Sequence, residues 1–233
     1  GMSWESSLEY YRIINEATKA ALGGLHSARC ILYSLDFAEV EVLQQEGRWD
    51  EAGALLVAAG LSLQRAGADF LVLCTNTMHK LAGEIEANVP LPLLHIADAT
   101  AEKVKAAGIT RIGLLGTRYT MEQDFYKGRL VERHGLEVII PDVADRATVH
   151  EVMYGELCVG IVKDASRERY REIIDKLVAA GAQGIILGCT EIELLVRAED
   201  STAPLFPTTR IHAGAAVKYI LGDAADLSVA VGP

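Results

Sequence analysis

One segment of this 233-residue chain occurs twice. Around Gly67 it reads AGADFLVLCTNTMH, and around Gly181 it reads AGAQGIILGCTEIE. With Gly67 laid on Gly181 and no gap, Ala68 falls on Ala182, Leu73 on Leu187, Thr75 on Cys189 and Thr77 on Glu191. Each copy is a short apolar run followed by small polar residues. That is the pattern of a buried strand running into the start of a helix. Backbone N–H groups at two such helix starts favour a negatively charged ligand, and one copy also places a thiol there. A duplicated strand–loop–helix with a cysteine at its tip points to an enzyme built from two half-sites.

The rest of the chain alternates in the same sense. Helices are expected over Trp4–Leu22, from Glu39 to Ala66 with a break near Gly47, and over 78–87, 98–107, 121–134, 149–162, 166–180 and 211–220. Strands are expected at Ala28–Ser34 (ARCILYS), Asp69–Cys74, the LLHI segment, Arg111–Gly116, EVIIP, GIILG and PLF. Such β-α alternation implies an α/β fold with parallel sheets flanked by helices. A chain of this length suits two lobes of roughly 100 residues each. The first lobe is assigned residues 1–97 plus about 208–233, and the second 98–207.

The second half opens with ITRIGLLG-TRYTMEQDFY, a strand, a loop and a helix, whereas GMSWESSLEYY at the start matches only the loop and the helix. The first strand is therefore expected to be lacking, with another segment filling its slot, because an empty place in a parallel sheet leaves backbone groups unpaired. The start has neither the basic opening nor the long apolar stretch of a signal peptide, and no apolar run reaches membrane-spanning length.

Half of the residues are hydrophobic and the formal net charge is −10. No basic surplus exists to neutralise phosphates, so nucleic acid is not an expected partner. No GxGxxG or Walker-type loop follows a strand, which disfavours nucleotide and dinucleotide cofactors. Cys30, Cys74, Cys158 and Cys189 form no CxxC pair, so no structural zinc is expected. Cys30 and Cys158, in apolar surroundings, read as buried inert thiols, and a reducing, cytoplasmic location is expected.

CTNTMH at Cys74–His79, LHIADAT at Leu94–Thr100, LLGTRYTMEQDFY at Leu114–Tyr126 and LGCTEIELLV at Leu187–Val196 together resemble the aspartate/glutamate racemase family. GMSWES and TRYTMEQDFY are similar in particular to its bacterial broad-specificity amino-acid racemase branch. The resemblance covers nearly the whole chain and implies several things. The fold is two similar lobes, each a small parallel sheet flanked by helices, with the active site in the inter-lobe cleft. The enzyme works without pyridoxal phosphate or any other cofactor and without a metal. It is a homodimer acting on a small amino acid. One residue from each lobe serves one face of the substrate α-carbon, commonly two cysteines.

Racemisation takes a proton from one face and returns one to the other, which two pseudo-symmetric groups do naturally. Cys189 is the expected thiol base, its pKa lowered by the helix start that Thr190 and Glu191 open. The first half-site departs from the family's Cys-Asn-Thr. Asn76 and Thr77 follow Thr75, and the cysteine sits one place earlier, at Cys74. A one-residue shift along a strand turns a side chain to the opposite face. Thr75 is thus the first candidate for the opposing position, with a local bulge presenting Cys74 as the alternative. Asn76, Thr77 and Thr190 are expected to donate to the substrate carboxylate. Met2 and Ser3 belong to a loop that lines the site in relatives. Glu191 either tunes the thiol or is an ordinary helix-start carboxylate. His79, four positions after Thr75, either orients that loop or is a packed histidine. Lys163 matches a lysine that relatives use near a distal carboxylate, and Arg48 loosely matches a second such cation; a solvated surface role is the alternative for both. Pro207 stands where the branch has aspartate, before Thr208, Thr209 and His212.

Three functions compete. The first is a racemase of aspartate, glutamate or a small polar amino acid such as homoserine. The second is a single-thiol decarboxylase or isomerase of the same superfamily. The third is a catalytically impaired ligand-binding protein. An acidic substrate gains weight if both Lys163 and Arg48 line the site.

Overall fold

The structure, a computed structural model, describes residues 1–222. It is a mixed α/β protein of two compact units. Of the described residues, the first unit takes Gly1–His95 and 212–222, and the second takes Ile96–Ile211. The part of the first lobe assigned to residues 223–233 lies outside the described residues.

In the first unit, α1 (Trp4–Leu22) starts because Ser3 is extended and its hydroxyl accepts the Ser6 N–H at 3.2 Å, an N-cap that satisfies one orphan donor. Tyr10, Ile13 and Ala17 recur on one helix face and are buried. Gly23, at φ 78°, ends the helix by donating to the Lys19 carbonyl at 2.7 Å. Next come α2 (Phe37–Gln45), capped by Asp36, and α3 (Trp49–Arg65). Strand β1 (Leu71–Val72) leads into a 3₁₀ turn at Thr77–Leu81, α4 (Ala82–Asn88) and β2 (Leu93–Leu94). The two strands are parallel, with Leu71 beside Leu93. Val40, Leu56, Leu71, Met78, Ile85 and Met2 form the core here, each large side chain stabilising the unit by about 1.5–3 kcal/mol.

The expected strand at Ala28–Ser34 is not one. The segment has no ladder among the described residues. Its end is flanked by the Gly1 amino group, which donates to the Tyr33 carbonyl at 2.7 Å, and by the Leu35 N–H, which donates to the Gly1 carbonyl at 3.1 Å. A strand is defined by its neighbour, and an apolar run alone does not supply one. Cys30 lies on this segment and is exposed, and Cys158 is half-buried, so neither is the buried thiol expected.

The second unit comprises α5 (Ile96–Ala106), β3 (Arg111–Gly116), α6 (Arg118–Glu122), α7 (Lys127–His134), β4 (Glu137–Ile139), α8 (Val143–Gly155), α9 (Asp164–Ala179), β5 (Ile185–Gly188), α10 (Ile192–Leu195), β6 (Leu205–Pro207) and the start of α11 (Thr208–Leu221). Its sheet runs β4-β3-β5-β6, all parallel. Its central strands are continuous apolar runs, Ile112–Leu115 and Ile185–Leu187, buried on both faces as a helix-covered parallel sheet requires. The single helix expected over 121–134 is two, because Gln123 takes extended backbone and the chain turns to bury Tyr126. The helix expected from 149 to 162 starts at Val143, where Asp142 caps the Asp145 N–H at 2.9 Å, and stops at Gly155.

The duplication is visible in the backbone. Gly67 and Gly181 both have positive φ, 89° and 100°. Their N–H groups bond Gln64 and Val178, the next N–H groups bond Leu63 and Leu177, and the strands then open with Leu71 donating to the Pro92 carbonyl and Ile185 to that of Pro204. All of these except the two proline acceptors, which are offset by two residues, are corresponding positions in one gapless alignment. Ser3 and Thr117, the caps of α1 and α6, correspond in that alignment too.

Candidate active site

The thiol loop forms where β3 and β5 end together, with Gly116 beside Gly188. Gly188 has no room for a side chain, and Gly116 is tightly packed. A Cβ on Gly188 would stand 2.7 Å from the Leu115 carbonyl oxygen, and one on Gly116 would stand 3.1 Å from Thr120. This pinch sets Cys189 at the carboxyl end of the sheet, where open α/β sheets bind ligands. Cys189 is half-buried, and its Sγ donates to Glu191 Oε2 at 2.8 Å. Thr209 continues the loop's support, its hydroxyl donating to Thr190 Oγ1 at 3.0 Å and its N–H to Glu193 Oε1 at 3.3 Å.

The thiol's pKa is not lowered, as the helix start led us to expect, but raised well above its ordinary value. Burial is the first cause, followed by the Glu191 charge, Cys158 and the hydrogen bond to Glu191; only the Glu191 N–H opposes them. Two reasons overturn the expectation. Helix α10 has only four residues, too short for an appreciable dipole, and the nearest charge is a carboxylate. The resting state is a neutral thiol poised on a proton acceptor.

Pro207 is compatible with its strand. Ile185 donates to the Pro204 carbonyl, so in a parallel pair Phe206 and Thr208, not Pro207, direct their N–H groups at β5. Proline thus sits on the edge strand without breaking the ladder, and the Thr208 hydroxyl bonds the Leu187 carbonyl at 2.9 Å.

In the first unit, the Thr75 N–H bonds the Leu73 carbonyl at 2.8 Å, a tight turn centred on Cys74. Cys74 is buried in a small cluster with Tyr10, Ile13 and Ala213. Burial pushes its thiol up to about 11, against a smaller lowering by the amino terminus. Thr75 is half-buried, and Asn76 and Thr77 are buried. Ser6 Oγ donates to the Cys74 carbonyl at 3.3 Å, tying the start of α1 to this loop. Ser3 is the cap of α1, and Met2 is in the core. His79, buried, bonds the Thr75 carbonyl through Nδ1 at 2.7 Å.

The two candidate cations are on the surface and ion-paired. Lys163 Nζ lies 2.9 Å from Glu156. Arg48 lies 2.8 Å from Glu46 and 2.6 Å from Glu51.

Sequence reasoning missed one assembly. Behind the Thr75 loop, three histidines from separate segments meet. The His79 ring is 4.5 Å from that of His95 and 5.8 Å from that of His212. His212 bonds Tyr10 Oη through Nδ1 and the Leu94 carbonyl through Nε2, both at 2.8 Å. A carbonyl only accepts, so Nε2 carries the proton and the tyrosine donates to Nδ1. Burial holds His212 down to about 4. No regular spacing links residues 10, 79, 95 and 212, so no sequence signal announces the cluster.

Among the described residues, no helix is long and apolar enough to cross a membrane. Comparison with known proteins places this geometry. A protein from Yersinia pestis, described as a candidate Asp/Glu racemase, is 61% identical; its crystal structure superposes with a TM-score of 0.89 over 95% of this chain and 96% of that one. An aspartate racemase homologue from Pyrococcus horikoshii OT3 is 31% identical, with a TM-score of 0.80 over 94% of this chain and 95% of that one. The broad specificity amino-acid racemase RacX of Bacillus subtilis is 23% identical over 74% of each chain. The parallel sheets flanked by helices match the two-lobe Asp/Glu racemase fold of these neighbours. The Asp/Glu/Hydantoin racemase model matches residues 1–216, and the chain belongs to that family.

Proposed function

We propose that this protein is a cofactor-independent amino-acid racemase in which Cys189 removes the α-proton and Thr75 serves the opposite face. The observation that carries the proposal is the 2.8 Å hydrogen bond from Cys189 to Glu191, at the loop whose counterpart in the duplication presents Thr75. Glu191 takes the thiol proton as the thiolate forms, and the thiolate then takes the α-proton. The charge left on the substrate spreads into its carboxylate, which N–H and side-chain donors of Asn76, Thr77 and Thr190 stabilise. Inversion is completed when the Thr75 hydroxyl hands over a proton that it regains from water; the hydroxide so formed is neutralised by the proton held on Glu191, and Cys189, which keeps the α-proton, is again a thiol. A hydroxyl is a far weaker base than a thiolate, so the enantiomer whose α-proton faces Cys189 exchanges that proton with solvent faster than it inverts.

Lys163 and Arg48 are each occupied by glutamates. This favours a small polar substrate such as homoserine over aspartate or glutamate, which need a cation for the second carboxylate. The same family likeness makes a cytoplasmic homodimer the expected form, which sedimentation tests.

The test is entry of deuterium at the α-carbon in heavy water, across homoserine, aspartate, glutamate and other amino acids, for the native protein and Cys189→Ser. Exchange that vanishes in the variant supports the proposal. No exchange with any amino acid would sink it. Carbon dioxide release from a malonate panel would point instead to single-thiol decarboxylation.

A further inference from the structure

We infer that His79, clamped within the buried His95–His212–Tyr10 cluster, is a positioning residue for Thr75 alone and so sets how often the reaction ends in inversion. The inference rests on the racemase reading given above.

The geometry separates the two faces. Thr75 O accepts from His79 Nδ1–H at 2.7 Å, which fixes the backbone from which the Thr75 hydroxyl projects. The His79 ring cannot swing away. His95 packs on it at 4.5 Å, and His212 meets it edge-on at 5.8 Å. His212 is itself held by Tyr10 of α1 and by the Leu94 carbonyl at the end of β2. All four side chains are buried. A hydrogen bond locked in a packed polar network positions more tightly than an exposed one.

The position corresponding to His79 in the second copy is Glu193, and the backbone bonds correspond as well: His79 N–H to the Asn76 carbonyl, and Glu193 N–H to the Thr190 carbonyl. The side chains act differently. Glu193 accepts from the Thr209 N–H and pairs with Arg210 at 3.6 Å. The duplicated loops therefore carry different buttresses, an imidazole behind Thr75 and a carboxylate beside the thiol loop. A defect at His79 should reach the protonation step that Thr75 serves and leave proton removal by Cys189 intact.

The two steps are separable in heavy water. Once Cys189 has removed the proton and exchanged it with solvent, return of deuterium from its own side gives labelled substrate of unchanged hand. Delivery from the Thr75 side gives labelled substrate of opposite hand. His79→Asn keeps an N–H close to the place of Nδ1, whereas His79→Gln puts it near Nε2. The H79Q variant is expected to lower the ratio of inverted to retained labelled product about tenfold, and H79N to stay within about twofold of native. Total deuterium uptake should stay within about twofold in both, which a merely structural defect would not allow. The inference is overturned if H79Q keeps the native ratio, if both variants lower it alike, or if inversion and total uptake fall in the same proportion. No uptake by the native protein would instead defeat the racemase reading, and this inference with it.

Discussion

The neutral, buried imidazole of His212 ties stability to pH in a way that can be worked out. Its native pKa is about 4, held down chiefly by burial and opposed by the bond to the Leu94 carbonyl, against an ordinary 6.5 in the unfolded chain. Between those values the unfolded state binds the extra proton, so stability rises with pH across the window. The contribution is intact above pH 6.5 and drains away as pH falls from 6.5 towards 4. The gap is equivalent to about 3 kcal/mol at full extent. That is a large share of the stability of a typical domain, about 5–15 kcal/mol. Both tryptophans, Trp4 and Trp49, lie in the first unit. Their fluorescence during urea unfolding therefore reports on the unit that contains His212. Native protein should lose about 3 kcal/mol more than His212→Gln on going from pH 7 to pH 4. The variant should be less stable at pH 7, because the Tyr10 hydroxyl and the Leu94 carbonyl lose well-placed partners. If the variant loses stability with acid as steeply as the native protein, the imidazole is not held neutral by its burial and the reasoning fails.

Other perturbations follow from the thiol loop and its counterpart. Glu191→Gln should move two readouts in opposite directions: alkylation of Cys189 by iodoacetamide at pH 8 should quicken, because the carboxylate's charge and hydrogen bond both raise the thiol's pKa, whereas α-proton exchange should fall about a hundredfold with loss of the proton acceptor. Slower alkylation would contradict the assigned direction. Cys74→Ala should cost about 1 kcal/mol in urea unfolding, from lost packing against Tyr10, Ile13 and Ala213, and leave exchange unchanged; a large drop in exchange would return Cys74 to the second-base role. Gly188→Ala sets a Cβ 2.7 Å from a backbone oxygen that cannot swing aside. It should destabilise the second unit by about 1–3 kcal/mol and displace Cys189 next to it, so a variant with native melting temperature and native exchange would refute the pinch.

What could be read from the residues divides by the range of the interaction. The extent of helix α1 was legible, because Ser3 before it and Gly23 after it are local signals, but its buried face was not: the apolar Leu8 and Tyr11, expected with Ile13 and Ile14 on one face, are exposed, and Tyr10, Ile13 and Ala17 are the buried residues. Strand β3 was legible for the same reason, as an unbroken apolar run between turns. Ala28–Ser34 has the same β-rich composition but lacks the neighbour that would make it a strand, and composition carries no information about neighbours. The direction of the Cys189 pKa shift was misread because a helix start was expected to act as a long dipole. The loop opens a four-residue helix, and burial with the carboxylate two places on outweighs it. The histidine cluster behind Thr75 joins four distant positions and exists only once the first unit has folded.

The duplication itself explains why the sequence disclosed a site but not its asymmetry. The bonds that recur in both copies are backbone bonds: the turn at Gly67 and Gly181, the strand openings at Leu71 and Ile185, and the first loop bonds at His79 and Glu193. Backbone groups are the same for every residue type, so these bonds survive wide divergence of side chains, and that is what keeps the repeat recognisable. Divergence has collected in the side chains of the two loops, where Thr75 stands against Cys189 and His79 against Glu193. On the proposed reading, a scaffold that keeps its backbone while changing its side chains pairs one strong base with one weak donor. On that reading, how often proton removal ends in inversion is set by those two loops and not by the fold that carries them.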